Sequence, residues 1–243
     1  NQEPLDTCVL NSDDAVLREF GRTLDCQVVY FSSRTTLQDG VYYEDGSIYK
    51  AAGGEAEKVI DTSELRILGV HNYENASAAI AICQAMGVSL DLIRKGLREF
   101  EAVPHRIQFI CETNGIAFYN DSKGTNPDAA IKAVEAMERP TVLIGGGYDK
   151  DSVYDDWIKS FDGKVKKLIL IGETREKIAA CAKKHGFGAV EMAEDLKEAV
   201  EKAYESAVSG DAVLLSPACA SWGSFKNYEE RGDLFARYAR EIK

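Results

Sequence analysis

Short apolar, β-prone runs alternate with longer amphipathic stretches through the last hundred or so residues of this 243-residue chain, and such alternation is the pattern of βα units on a parallel sheet. It predicts strands at about Gly115–Tyr119, Thr141–Ile144, Lys167–Ile171 and Ala212–Leu215. Helices are expected near Pro127–Met137, Tyr154–Phe161, Thr174–His185, Asp195–Ser209 and Tyr228–Ile242. The element ends carry physical markers of their own. Asn126 is placed to cap a helix, and Pro127 suits a first helical turn, where its missing N–H costs nothing. Lys183, Lys184 and His185 set cations at a helix's negative pole, and Gly186 behind them is free to adopt positive φ. Asn114-Gly115 reads as a tight hairpin turn between Phe109–Cys111 and Ile116–Tyr119.

The first hundred residues are less regular. Thr7–Leu10 and Gln27–Phe31 read as strands, Val41–Tyr43 and Ser47–Tyr49 flank an Asp45-Gly46 turn, and Asn72–Met86 reads as a helix with Ala and Ile on one face. A further helix, Leu90–Phe100, has Ser89 as its cap. Glu101-Ala102-Val103-Pro104 breaks the helical pattern, so a domain boundary is expected there, dividing 1–102 from 103–243. The strands before it are few for an ordinary α/β sheet, and the chain opens on polar residues without a methionine. An additional upstream piece is therefore expected.

Composition removes several functional classes. The formal net charge of −11 argues against a nucleic-acid partner, since binding a polyphosphate needs a basic face. No run of about eighteen uninterrupted apolar residues and no leader-like start is seen, so a soluble, cytoplasmic protein is expected, with no membrane partner. The six cysteines, Cys8, Cys26, Cys83, Cys111, Cys181 and Cys219, include no CxxC pair. They read as reduced, small buried hydrophobes with no His at ligand spacing, and no zinc site is expected.

The polar chemistry gathers where an open parallel sheet binds ligands, beyond the carboxyl ends of its strands. Asn120-Asp121-Ser122-Lys123-Gly124-Thr125-Asn126 follows one strand, Gly145-Gly146-Gly147-Tyr148-Asp149-Lys150 a second, and Ser216-Pro217-Ala218-Cys219-Ala220-Ser221 a third. Any one of them alone reads as an ordinary connection with an exposed lysine. Together they bring Lys123 and Lys150, with the hydroxyls of Thr125 and Ser221, to one edge, a set suited to a small dicarboxylate; a charge-assisted hydrogen bond contributes about 1.5–3 kcal/mol. Gly145-Gly146-Gly147 lacks GxGxxG spacing, and Ser216 and Cys219 lack both a nucleophile elbow and a neighbouring His. Arg106 reads either as a surface charge or as a phosphate contact. Asn72 and Asn75, one turn apart, read as helix-start residues or as donors to a base edge. GxxxxGK[ST] is absent from the chain, so the triphosphate of ATP is not expected to bind here unaided.

At these residues the sequence resembles the Mur ligases. Leu68-Gly69-Val70-His71-Asn72-Tyr73-Glu74-Asn75 is similar to the family's L-x-G-x-H-N-x-x-N element apart from the register of its glycine, and Pro104-His105-Arg106 resembles the start of its third domain. The loops 120–126 and 145–150 resemble the glutamate-adding branch. So does Ser216–Trp222 running into Phe225-Lys226-Asn227-Tyr228 and Arg231-Gly232.

The resemblance implies an α/β protein whose residues 103–243 form a Rossmann-like domain with a mostly parallel sheet, preceded over 1–102 by the later part of a P-loop-type central ATPase domain. It implies a monomeric ligase joining D-glutamate to UDP-N-acetylmuramoyl-L-alanine through an acyl phosphate, using ATP and magnesium. The P-loop and the magnesium ligands would lie upstream of Asn1, leaving this piece inactive alone, with no catalytic or metal-binding residue of its own. Carried over by position, Asn72 and Asn75 match adenine-side residues, and Arg106 and Asp121 match residues meeting the ribose and phosphates. Lys123, Thr125, Lys150, Ser221 and Tyr228 match the surroundings of D-glutamate, with Trp222 at a further contact. Gly124 stands where Ala is common, and Trp222 and Tyr228 stand where Leu or Phe is usual, which leaves the pocket's shape open. The rival readings are another amide ligase of the superfamily, such as a folylpolyglutamate synthase, a non-catalytic substrate-binding module, and a dinucleotide oxidoreductase.

Overall fold

The computed structural model describes residues 2–242. The chain divides into two compact units, Asn1–Glu101 and Ala102–Lys243. In the first, β1 (Thr7–Asn11), α1 (Ala15–Gly21), β2 (Gln27–Ser32), β3 (Gly40–Glu44), β4 (Ser47–Ala52) and β5 (Glu55–Asp61) precede α2 (Val70–Ala85) and α3 (Leu90–Glu99). The strands lie in sequence order, with β1, β2 and β3 parallel and β3, β4 and β5 antiparallel. Val41, Ile48 and Ile60 of the sheet pack with Tyr73, Ala76 and Ile80 of α2 and Ile93 of α3. The Ser89 hydroxyl caps α3 by accepting from the Leu92 N–H.

Two elements of this unit lack a sequence signal. β5 exposes its first four residues and buries only Val59 and Ile60, so it shows no period-two alternation. α1 is seven residues long, buries only Gly21, and is started by Asp14, whose carboxylate accepts from the Val16 and Leu17 N–H groups. Helix α2 begins two residues before Asn72, after Gly69 at φ 93°.

The second unit runs β6 (Gln108–Thr113), β7 (Ile116–Asn120), α4 (Pro127–Glu135), β8 (Thr141–Gly146), α5 (Asp155–Lys159), β9 (Val165–Ile171), α6 (Arg175–Lys184), β10 (Val190–Met192), α7 (Leu196–Ser206), β11 (Ala212–Leu215) and α8 (Tyr228–Glu241). Its sheet has the order β10-β9-β8-β11-β7-β6, parallel except for the β6–β7 hairpin. Asn114 and Gly115 both take positive φ in that hairpin turn, as the expected tight turn requires. Asn126, Asp195 and Asn227 cap α4, α7 and α8 through side-chain bonds to Ala129, Glu198 and Glu230 N–H groups.

Strands β8 and β11 are buried along their whole length, which is why they read as continuous apolar runs. The chain steps outward from β8 through β9 to β10, then returns to insert β11 between β8 and β7. Right-handed crossovers therefore send α5, which follows β8, and α7, which leads back into β11, to opposite faces, and α8 packs beside α7; the direction of winding reverses at β8 and β11, opening a crevice at their carboxyl ends. Three-residue β10, at the sheet edge, is the strand that periodicity did not reveal. Among the described residues no helix is long and apolar enough to cross a membrane.

Candidate functional site

The crevice is built first by close backbone approach. Gly146 has φ 97° and a Cβ there would lie 2.2 Å from the Ile171 carbonyl oxygen; Gly147 has φ 152° and a Cβ there would lie 2.5 Å from that of Ala220. The Tyr148 N–H donates to the Ala220 carbonyl at 3.0 Å, joining the loops after β8 and β11. A cavity of about 180 Å³ opens beside Ser221, between Gly147, Gly172, the start of α7 and Phe225.

The loop after β7 is tied down by buried polar groups. Asp121 is 6% exposed. Its carboxylate accepts from Ser216 Oγ at 2.7 Å and from the Ile107 N–H at 3.3 Å. Burial pushes its pKa up to about 7, opposed by these two bonds and by the positive charges of Arg106 and Arg231. Gly124 gives this carboxylate room, since a Cβ at 124 would come within 2.3 Å of Asp121 Oδ2. Ser122 Oγ donates to the Tyr228 carbonyl at 2.8 Å. Arg231 of α8 is wholly buried and donates to Ser122 Oγ at 3.0 Å, to the Ser122 carbonyl at 2.8 Å and to the Cys219 carbonyl at 3.1 Å. Burial draws its pKa down to about 10.

This frame orients Lys123. Its N–H donates to the His105 carbonyl at 3.0 Å, while its ammonium donates to Tyr228 Oη at 2.9 Å and lies 4.8 Å from the centre of that ring. The His105 ring meets Tyr228 edge-on, and Asn120 Nδ2 sits 3.1 Å from His105 Nδ1. His105 and Ile107, on either side of Arg106, both take positive φ. For a β-branched residue such as Ile107 that conformation is strained, and strain of this kind gathers at functional sites.

Of the ten expected site residues, eight lie in the second unit. Lys123, Tyr228 and Asp121 belong to the frame just described. Thr125 is half-buried in the same loop, its N–H bonded to the Lys123 carbonyl. Ser221 is buried. Lys150 and Trp222 are exposed, the ammonium 5.8 Å from the indole ring, which packs on Tyr148 with centroids 5.6 Å apart. Arg106 is exposed, whereas Asp121 turns inward onto Ser216 and Ile107. Asn72 and Asn75 lie on α2 of the first unit, Asn72 Nδ2 donating to the Leu68 carbonyl at 2.7 Å and Asn75 exposed.

His105, Arg231 and Ser216 stand within the sequence motifs, which assign them no role. Arg231 had a legible signal. Positions 231, 232, 235, 236 and 239 form the helical stripe that α8 turns inward, and an arginine there departs from an apolar face.

Residues 105–219 match the family model described as "Mur ligase, glutamate ligase domain". A UDP-N-acetylmuramoylalanine–D-glutamate ligase of Thermoanaerobacter sp. (strain X514) is 51% identical over 245 aligned residues, covering all of this chain and 54% of that protein. Residues 105–219 thus resemble a Mur ligase glutamate ligase domain, and the chain as a whole is similar to one part of the D-glutamate-adding Mur ligases. It spans about half the length of the curated Mur ligases it matches. The UDP-N-acetylmuramoylalanyl-D-glutamyl-2,6-diaminopimelate–D-alanyl-D-alanyl ligase from Acinetobacter baumannii superposes with a TM-score of 0.68 at 19% identity, over 98% of this chain and 52% of the other. The folylpolyglutamate synthase of Mycobacterium tuberculosis complexed with ADP superposes at 0.64 with 16% identity, over 94% and 53%. At such identities these two likenesses show the fold alone.

Magnesium, which this family implies, takes oxygen ligands in octahedral array. Among the described residues, the metal-competent cluster is Asp155, Cys181 and His185, whose sulfur and nitrogen donors do not suit it.

Proposed function

We propose that this chain is the amino-acid-receiving part of an ATP-dependent ligase that adds D-glutamate to UDP-N-acetylmuramoyl-L-alanine in peptidoglycan precursor synthesis. The observation carrying this reading is the Lys123 ammonium, held over Tyr228 at the carboxyl edge of a parallel sheet by a buried frame. The printed name of the 51% identical relative supports the choice of amino acid. In this reading residues 103–243 are the Rossmann-like third domain and 1–102 the later part of the central ATPase domain. The P-loop and magnesium ligands belong to the part of the relatives' length that this chain does not span.

Lys123 and Lys150 meet the two carboxylates of D-glutamate, Thr125 and Ser221 supply hydroxyls, and Trp222 and Tyr228 wall the amino acid. Arg106 meets a nucleotide phosphate, Asn72 and Asn75 the adenine edge, and Asp121 steadies the ribose side through the backbone it holds. The substrate carboxylate takes the γ-phosphoryl group of ATP, releasing ADP. The D-glutamate amine then attacks the acyl phosphate carbonyl, expelling phosphate and losing its proton to solvent. The chain's contribution is to orient the amine and to exclude water from a hydrolysable intermediate. The protein works as a cytoplasmic monomer without a nucleic-acid partner.

The test is ATP-dependent phosphate release by a protein of the relatives' full length containing this chain, given UDP-N-acetylmuramoyl-L-alanine and, in turn, D-glutamate, L-glutamate, L-lysine and diaminopimelate. Release with D-glutamate alone is expected. Release with a different amino acid overturns the substrate assignment, and none with any of them overturns the ligase reading.

A further inference from the structure

Away from the loops of the crevice, three side chains of different donor chemistry converge between α5 and α6. Cys181 lies in the last turn of α6 and His185 at its carboxyl cap, four residues later, so both project from one helical face. Asp155 opens α5 and faces them. One donor atom from each of the three lies within 4.8 Å of the others, and all three side chains are half-buried. Asp155 Oδ1 is 2.8 Å from His185 Nε2. Contrary to the expectation of no His at ligand spacing from a cysteine, the four-residue interval on α6 brings His185 beside Cys181.

We propose that Asp155, Cys181 and His185 form a binding site for a thiophilic divalent cation of the zinc type, with water as the fourth ligand. A thiolate, an imidazole and a carboxylate are the side chains zinc takes, and three protein ligands leave its tetrahedral shell one open position. Calcium and magnesium would take only the carboxylate. Without an ion, the Asp155 carboxylate is occupied by the Lys184 ammonium, 2.6 Å from the same Oδ1 that faces His185. Lys184 is a weak competitor: its side chain is 67% exposed and flexible, and it can turn to solvent. Lys159 and Lys184 are the other charged groups acting on Cys181. Binding replaces the Lys184 ammonium by the ion, sends the Cys181 thiol proton to solvent, and takes His185 as the neutral imidazole through Nε2.

The site bears on the loop after β8. Asp149 in that loop is held on α6 by Lys177 at 2.9 Å, and Tyr154 lies beneath the same lysine, 5.8 Å from its ammonium. The segment from 149 to 155 thus runs along α6, fastened at Asp149 and again at Asp155. An ion would turn the second fastening from an exposed ion pair into coordinate bonds five residues after Lys150.

Titration of the chain with Co(II), read by thiolate-to-metal charge-transfer absorbance, tests the site. One equivalent per chain is expected to give the band. Cys181→Ser and His185→Gln should abolish it, while Cys111→Ser should keep it. Lys184→Met should tighten binding severalfold, because it removes the ammonium that occupies Asp155 Oδ1 without an ion. That gain cannot come from misfolding. No band, a band that survives Cys181→Ser, or Lys184→Met binding no tighter than the unaltered chain would each overturn the proposal.

Discussion

The loops after β7 and β8 leave the same carboxyl edge of the parallel sheet but are held in opposite ways. The β7 loop is fixed by buried polar groups, with Asp121 on Ser216 and Ile107, and Arg231 on Ser122 and Cys219. The β8 loop is held by glycines pressed against neighbouring backbone, and it presents Lys150 and Tyr148 to solvent beside the exposed Trp222. A buried polar network with its partners satisfied fixes one geometry, whereas exposed cation–aromatic contacts leave several open. The lysine of the β7 loop is therefore oriented before a ligand arrives, and the lysine of the β8 loop has its freedom still to lose.

Breaking the rigid side should cost most. Arg231→Met strips three hydrogen bonds from buried carbonyl and hydroxyl groups, so the second unit should lose about 3–5 kcal/mol, read as a lower urea midpoint. A loss below about 1 kcal/mol would mean that the arginine is not what holds the loop.

The pH dependence of Asp121 gives the next largest effect. Its folded pKa is raised to about 7, so between the ordinary carboxylate range and pH 7 the folded chain keeps a proton that the unfolded chain has lost. Its contribution is therefore fully present at low pH and is lost as pH rises to about 7. Relative to Asp121→Asn, the unaltered chain should lose stability between about pH 4 and pH 7 by an amount on the order of 4 kcal/mol. A constant difference between the two melting curves across that range would show the carboxyl to be ionised throughout.

The exposed side should tolerate change. Lys150→Met or Trp222→Phe should shift stability by no more than about 0.5 kcal/mol, as for surface positions generally. A larger loss in thermal melts would place Lys150 or Trp222 in the frame and erase the contrast.

Sequence and structure meet most closely where one physical signal acts alone. Central strands β8 and β11 are apolar throughout, Asn126-Pro127 starts α4, and Asn114-Gly115 turns the hairpin, all from local chemistry. Edge elements escaped. β5 needs only two buried residues and β10 only three in all, so neither carries a period. The three loops of the site were legible from topology, because a parallel sheet gathers them at one edge. Their internal order was not. That Asp121 turns inward depends on Ser216, 95 positions later, and that Lys123 points at Tyr228 depends on a helix that begins after the last strand. Cys181 and His185 were legible as a helical pair, but their partner Asp155 belongs to another helix.

The most direct measurement concerns Lys123 itself. In a protein of the relatives' full length, Lys123→Ala should raise the KM for D-glutamate at least about tenfold, the loss of one charge-assisted hydrogen bond, while leaving the KM for ATP within about twofold. Equal rises in both would contradict the account, making Lys123 a residue of folding or closure and not the cation that receives the amino acid.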